Sequence, residues 1–492
     1  MDKARIAAHF DRYAPGRDAW QAKNHGYYEA IERLCRARIP EGRRVLELGC
    51  GTGDLLASLR PSLGVGVDVS HGMVARARAK HPGLRFVRGD AEAVPLVAAF
   101  DHIVMSDVVG HLGDIQGTLL GLRRLTTPET TLVVTYYNFV WQPILNAGER
   151  LGLKMPQHQQ NWLGMADIRN LLFLCDWEVA SEEVALLCPK RIPIVAPLLN
   201  AMVRSPLFSW AALVQVFVAR PRPAAPVRRD LSVTVVIPTR NERGNVAAAV
   251  ARTPAMGRHT EILFVDGRST DGTVEEIERQ IARTAGVKDV KLVHQVPPAE
   301  QAARPAGAPP DLMLPQGKGD AVRKGFAAAT GDVLMILDAD LTVPPEDLPR
   351  FYDVIAQGKG RFVNGTRLVY PLEDEAMKFV NLLGNKGFSW IFTWLLSQRI
   401  KDTLCGTKVL LRTDYEEIAR NRAHFGEFDP FGDFDLLFGA ARLSLPIVEV
   451  PVRYQRRRYG ETKVRVLRHG ILLARMSLIG LRKLKLARRR SP

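Results

Sequence analysis

Two aspartates one residue apart, Asp338 and Asp340 in the stretch GDVLMILDADLTVPPEDL, are the residues of this 492-residue chain best suited to hold a cation. Two carboxylates held together repel unless positive charge lies between them. Oxygen donors of this kind suit Mg2+ or Mn2+, ions that share their shell with substrate phosphates. Val333 to Leu337, just before them, is an unbroken apolar run and reads as a strand buried on both faces. Acids just past such a strand sit where an open α/β sheet presents ligands. Alternation along an extended chain points both carboxylates the same way. The same residues also fit a strand followed by a solvated Asp turn, and the surrounding sequence decides between the two.

A second constellation lies far upstream. Val45 to Leu48 reads as a short strand, Gly49-Cys50-Gly51-Thr52-Gly53-Asp54 as a glycine loop, and Leu55 to Arg60 as a helix. Glycines let the backbone turn tightly and let a ligand approach without meeting a Cβ. The spacing is G-x-G-x-G rather than the dinucleotide G-x-G-x-x-G. Asp68 ends a second strand, Val65 to Val67, where an acid is placed to bond a ribose diol. A helix is predicted over Met73 to Lys80. Asp90 follows a third strand, Leu84 to Val87, in a place suited to an adenine amine, and residues 100–107 form a fourth strand. Strand and helix alternate, so the sheet is predicted to be mostly parallel. His111 is either a general base or a structural residue. Tyr136, Tyr137, Asn138, Trp141, Asn161 and Trp162 suit either an acceptor pocket or plain core.

VLELGCGTG, VGVDVS, FVRGDAEAVPL and FDHIVMSDVVGHL, in that order, resemble class I S-adenosylmethionine-dependent methyltransferases over residues 5–220. The resemblance implies a Rossmann-like domain. It places Glu47, Gly49, Gly51 and Gly53 at the methionine end of the cofactor, Asp68 on the ribose and Asp90 on the adenine side.

Length and charge frame the rest. A chain this long predicts several domains, and a formal net charge of +16 favours an anionic partner. Cys35, Cys50, Cys175, Cys188 and Cys405 are scattered and never form Cys-x-x-Cys, which argues against a disulfide framework or structural zinc and for a reducing compartment. The N-terminus has no signal-peptide core, and no clean apolar stretch reaches about 18 residues. The expected location is cytoplasmic, peripheral on the inner face of a membrane. Residues 221–230, rich in Pro and Arg, read as an exposed linker between a domain at 1–220 and one at 231–492. Residues 1–40 read as mixed, with a helix over Tyr27 to Arg38, and Leu213 to Ala219 as the last strand before the linker.

Beyond the linker, Val233 to Ile237 reads as a buried strand ended by Pro238, followed by Thr239-Arg240-Asn241-Glu242 and a helix. Glu261 to Val265 is a second strand ending in Asp266, and Lys291 to His294 a third. Residues 297–315 read as a surface loop. Gly317-Lys318-Gly319 opens a helix in a manner suited to a phosphate-bearing ligand. IPTRNE, VDGRSTDGT, GKGDAVRKGF and ILDADLTVPPEDL, with Gly365-Thr366-Arg367, Asp402 to Gly406, Gly432 to Asp435 and Tyr459 to Lys463, resemble inverting family-2 glycosyltransferases of the GT-A fold. Within them the likeness is to the dolichyl- or polyprenyl-phosphate sugar transferases, over residues 231–485.

That resemblance implies that Pro238, Glu242 and Asp266 hold the nucleotide, that Lys318 and Asp338 lie near base and ribose, and that Asp340, with Asp338, binds Mg2+ or Mn2+ on the diphosphate. Two departures touch the nucleotide and metal shell: Asp266-Gly267-Arg268-Ser269 stands for the usual Asp-Asp-Gly-Ser, and Thr342 for a common Gln. A polyprenyl phosphate acceptor is already ionised and needs only cations, for which Arg367, Arg458 and Lys463 are candidates. A hydroxyl acceptor needs a base, for which Asp433 is the candidate.

Residues 388–396, rich in aromatics, and the basic amphipathic stretch 470–490 read as membrane-interface segments or as ordinary domain surface. The expected protein is a bifunctional α/β enzyme using S-adenosylmethionine, a GDP- or UDP-sugar donor and a polyprenyl phosphate or lipid-linked glycan acceptor. The rivals are a hydroxyl-directed glycosyltransferase with an inactive methyltransferase-like domain, and a basic nucleic-acid-binding protein, for which no recognition motif is present.

Overall fold

Short runs of Val, Leu and Ile ending in glycine or acid recur along the chain, and each becomes a strand of one of two sheets. A computed structural model describes residues 3–158, 160–161, 163–190, 192–203, 205, 208–223, 226–296, 317–370, 379–422, 433–457, 459, 474 and 476–486. The chain divides into two compact units, Met1–Ala224 and Ala225–Pro492.

The first unit holds β1 (Arg44–Leu48), β2 (Leu63–Asp68), β3 (Arg85–Arg88), β4 (His102–Ser106), β5 (Thr131–Tyr137), β6 (Trp177–Ala185) and β7 (Val214–Pro221). Their order is β3-β2-β1-β4-β5-β7-β6. β1 to β5 run parallel, whereas β7 is antiparallel to both β5 and β6. This is a doubly wound, Rossmann-like α/β sheet. Its strand order reverses between β1 and β4, which opens a crevice at their carboxyl ends. β5 and β6 were not foreseen, and the exposed Glu-rich face of β6 lacks the apolar run that marked the inner strands. The N-terminal stretch is more ordered than "mixed", with helices Lys3–Tyr13, Arg17–Lys23 and His25–Arg36.

The second unit holds β8 (Val233–Thr239), β9 (Thr260–Asp266), β10 (Asp289–His294), β11 (Val333–Ile336), β12 (Phe362–Thr366), β13 (Lys408–Leu411) and β14 (Ile447–Pro451), in the order β10-β9-β8-β11-β13-β12-β14. β13 is antiparallel to both neighbours. Here the order reverses between β8 and β11, so residues following these two strands share a crevice. Pro238 lies inside β8 rather than ending it, because β11 stops at Ile336 and asks no N–H of it. Val333 to Leu337 are fully buried; each such Leu or Ile contributes roughly 2 kcal/mol before conformational entropy is charged against it. The aromatic stretch after Phe388 belongs to an 18-residue helix, Phe379–Leu396. Among the described residues no helix is long and apolar enough to cross a membrane. All five cysteines are free thiols.

Candidate functional sites

In the first unit the glycine loop after β1 is clamped by its neighbours. Gly49 has φ +69°, and a Cβ there would lie 2.7 Å from Val108 Cγ2, so the loops after β1 and β4 touch. Gly51 has φ +53° with nothing near its missing Cβ. Asp68 braces the loop: its Oδ2 accepts from the Gly51 N–H at 2.9 Å and its Oδ1 from the Ser70 N–H at 2.9 Å. Burial pushes its carboxyl upward against these two bonds. Gly49, Gly51, Asp68 and Asp90 border a cavity of about 520 Å³, within the size range of small-ligand sites. Asp90 pairs with Lys3 and accepts from the Glu92 N–H.

Two predicted residues do not line this cavity. Glu47 turns away and accepts from the Leu56 N–H at 3.1 Å, and burial holds its carboxyl well above the usual range. Gly53 enters the following helix against Phe86, whose ring a Cβ would meet at 2.5 Å.

Aromatic rings also line the cavity: Phe10, Trp20, Tyr27, Tyr28, Tyr137 and Trp141. Tyr136, Asn138 and Asn161 are instead buried in structural bonds. Tyr136 donates to Asn161 O, Asn138 bonds Trp210 O, and Asn161 bonds Val109 O and Leu112 O. Trp162 lies outside the described residues. His111 does line the cavity, with the Gln160 side-chain nitrogen 3.1 Å from its Nε2. Burial lowers its pKa to about 3, which weakens it as a base. Sequence reading passed over Asp107. It follows β4 at φ +55°, with Oδ2 accepting from Tyr27 at 2.7 Å and Oδ1 buried without a partner.

In the second unit, the loops after β8, β9 and β11 converge. Asp266 accepts from the Arg268 and Ser269 N–H groups, which folds the loop after β9. Glu242 is buried and accepts from Asn245 at 2.8 Å. Lys318 Nζ pairs with Asp338 Oδ1 at 2.5 Å. Burial works against ionisation of Asp338, but the Lys318 ammonium prevails and holds its carboxyl below the usual range. Gly406 makes room for this pair: a Cβ there would fall 2.0 Å from Asp338 Oδ2.

The extended alternation expected of Asp338 and Asp340 does not occur. β11 ends at Ile336 and the chain turns, with Leu341 N–H bonding Asp338 O at 3.0 Å and Leu341 at φ +53°. The two carboxylates therefore meet different cations. Asp340 Oδ2 accepts from Arg457 Nη2 at 2.6 Å, and Arg457 Nη1 also donates to Glu242 Oε1 at 3.3 Å. Asp340 Oδ1 accepts from the Thr342 hydroxyl at 2.8 Å.

Arg367 directs its fork onto Asp402, at 2.7 and 2.9 Å, and lies over the Tyr454 ring. Asp433 begins the helix Asp433–Arg442, its side chain outside the described residues, as are Arg458 and Lys463. Among the described residues no group of three or more His, Cys, Asp or Glu is poised to hold a metal. A divalent ion held by one or two carboxylates and completed by substrate phosphate still fits, because Asp340 and Glu242 converge on one positive charge. Sequence reading missed Arg457, which sits in the basic run Arg456 to Arg458, of which only Arg458 was singled out. It also missed Lys408, fully buried with its ammonium on Cys405 O.

Comparison with known proteins agrees with this division. Residues 45–129 match the family model described as a methyltransferase domain, and residues 234–302 and 314–417 match that of glycosyl transferase family 2. A dolichol-phosphate mannosyltransferase of Pyrococcus furiosus is 28% identical over 242 residues, 48% of this chain and 60% of that protein. An undecaprenyl-phosphate 4-deoxy-4-formamido-L-arabinose transferase of Edwardsiella ictaluri is 26% identical over 235 residues, 47% of this chain and 62% of that protein. The chain thus spans about 60% of the length of these relatives. Among solved structures, a methyltransferase from Thermotoga maritima aligns over 44% of this chain and 100% of its own, at 17% identity and a TM-score of 0.36. The magnesium protoporphyrin IX methyltransferase of Synechocystis aligns over 45% and 100%, at 18% identity and 0.32. The chain joins a methyltransferase domain in its N-terminal unit to a family 2 glycosyltransferase domain in its C-terminal unit.

Proposed function

We propose that residues 231–492 transfer a sugar from a GDP- or UDP-sugar, with inversion, to a polyprenyl phosphate or lipid-linked glycan, and that residues 1–220 transfer a methyl group from S-adenosylmethionine. The observation that carries the first reading is the convergence of Asp266, the Lys318–Asp338 pair and the Asp340–Arg457–Glu242 bridge after β8, β9 and β11. The named relatives, both polyprenyl-phosphate sugar transferases, support it. Asp266 and Lys318–Asp338 hold the nucleoside, and Asp340 holds the divalent cation. When bound, that cation neutralises the diphosphate leaving group. The acceptor oxygen attacks the anomeric carbon as the bond to the diphosphate breaks on the opposite face. A phosphate acceptor is mostly dianionic near pH 7 and needs no base; Arg458 and Lys463 are the cations assigned to it, the Arg367 fork being taken up by Asp402. A hydroxyl acceptor would deliver its proton to Asp433.

In the N-terminal unit, Gly51, Asp68 and Asp90 hold the cofactor, which supplies an activated methyl group. Gly49 fixes the loop that carries them. The aromatic wall takes the acceptor. The exposed Trp390 and Trp394, at 86% and 57%, support contact with a membrane surface by the helix Phe379–Leu396.

The test is a thermal-shift screen of the full chain with GDP- and UDP-sugars plus Mn2+, followed by transfer of labelled sugar to polyprenyl phosphates. One nucleotide class should stabilise the protein in a Mn2+-dependent way. No stabilisation by either, and no labelled lipid, refutes the reading. Asp340→Ala should abolish sugar transfer while S-adenosylmethionine binding persists.

A further inference from the structure

Arg457 bridges two carboxylates from different loops, Asp340 after β11 and Glu242 after β8, with one guanidinium. The backbone just upstream of it is pinned twice. Val452 N–H bonds Thr366 O at 2.9 Å and Gln455 N–H bonds Thr342 O at 2.8 Å. The Tyr459 ring covers Gly244, where a Cβ would meet it at 2.5 Å. The segment that delivers Arg457 is therefore fastened over the site, while the side chain itself is 26% exposed. Two carboxylates this close, one of them buried, require positive charge between them. A guanidinium and a divalent ion cannot both occupy that place. The Thr342 hydroxyl bonds Asp340 Oδ1, while Arg457 links Asp340 Oδ2 to Glu242 Oε1.

We propose that Arg457 is the internal counter-ion exchanged during donor binding: a divalent cation takes its place between Asp340 and Glu242, and the released guanidinium pairs with the donor's diphosphate. This rests on the reading of the C-terminal site as a nucleotide-sugar site. The exchange keeps the charge balanced at each stage. Before binding, one guanidinium faces two carboxylates. Afterwards the cation faces the carboxylates, and the guanidinium faces phosphate oxygens that it can bond in a charge-assisted way. Held by its fixed backbone, Arg457 stays beside the cation, where the phosphates that share the cation's shell must lie.

The exchange makes one substitution act in opposite directions on two ligands. Arg457→Gln should bind Mn2+ alone about tenfold more tightly than the native chain, because its competitor is gone. In saturating Mn2+, it should bind GDP or UDP, whichever the native chain takes, about tenfold more weakly. Free Mn2+ is read by its electron paramagnetic resonance signal and nucleotide by calorimetry. Glu242→Gln should weaken binding of Mn2+ alone. Equal or weaker Mn2+ binding by Arg457→Gln, or unchanged Mn2+ binding by Glu242→Gln, would overturn the proposal. If Arg457→Gln loses cooperative unfolding, Arg457→Lys is read instead. Its single-point ammonium cannot bridge both carboxylates, so tighter Mn2+ binding supports the exchange and equal or weaker binding refutes it. Should the native chain bind neither nucleotide, the donor reading fails, while the Mn2+ comparison still judges Arg457.

Discussion

His111 shows how burial changes what a side chain can do. Unfolded, an imidazole takes up its proton near pH 6.5; folded, His111 does so only at about 3. Between those values the unfolded chain binds the extra proton. The stability that His111 contributes is therefore whole above pH 6.5 and falls as the pH drops towards 3. His111→Gln should lose less thermal stability than the native chain between about pH 7 and about pH 5. An equal loss in melting scans would show that His111 is not held neutral. Arg367 and Asp402 make the opposite case, a buried charge that is fully paired. Burial opposes both ions, and mutual attraction prevails, raising the arginine and lowering the aspartate. Removing one partner of such a pair costs about 3–5 kcal/mol. Arg367→Met should therefore lower the denaturant midpoint of the C-terminal unit, and an unchanged midpoint would return Arg367 to a role in acceptor binding alone.

At the scale of elements, the loops that follow strands at each reversal of strand order carry the candidate sites. Gly49 and Gly51 lie two residues apart in one loop, yet their substitutions should part company. At Gly49 a methyl group would strike Val108, whose branched side chain is stiff, and φ is +69°. Gly49→Ala should destabilise the unit by about 2 kcal/mol or more. At Gly51 a methyl group meets nothing, so Gly51→Ala costs only the backbone strain, about 1–2 kcal/mol. Because Gly51 borders the cavity, that variant should stay folded and lose S-adenosylmethionine affinity. Calorimetric unfolding with and without the cofactor separates the two. If both variants bind and melt alike, the clamp between the loops after β1 and β4 is not what fixes the site. The Asp338-Ala339-Asp340 turn belongs to this scale too. Its residues were legible in the sequence, but alternation applies only inside a strand, and β11 ends before the pair.

For the whole molecule, the two units each have their own sheet and core, which predicts two separable ligand responses. In calorimetry of the intact chain, S-adenosylhomocysteine should raise one transition and a nucleotide diphosphate with Mn2+ another. A single transition moved by both would refute independent units. The net charge of +16 and the exposed tryptophans predict adsorption to anionic vesicles; flotation of the chain with and without residues 470–492 checks it, and no difference removes that tail from the membrane reading. By itself the sequence determined nine of the fourteen strands among the described residues, the glycine loop, and the acids that end β2 and β9 or follow β11, because apolar runs and their abrupt ends are local signals. Only the tertiary structure decided which of those residues face one another. It turned Glu47 and Gly53 away from the cavity, bound Asp107 to Tyr27, and placed Arg457 between Asp340 and Glu242. The pairings of Asp107 and Arg457 join residues 80 to 215 positions apart, and the charge of an arginine in a basic run gives no sign of which carboxylate the fold will bring to it.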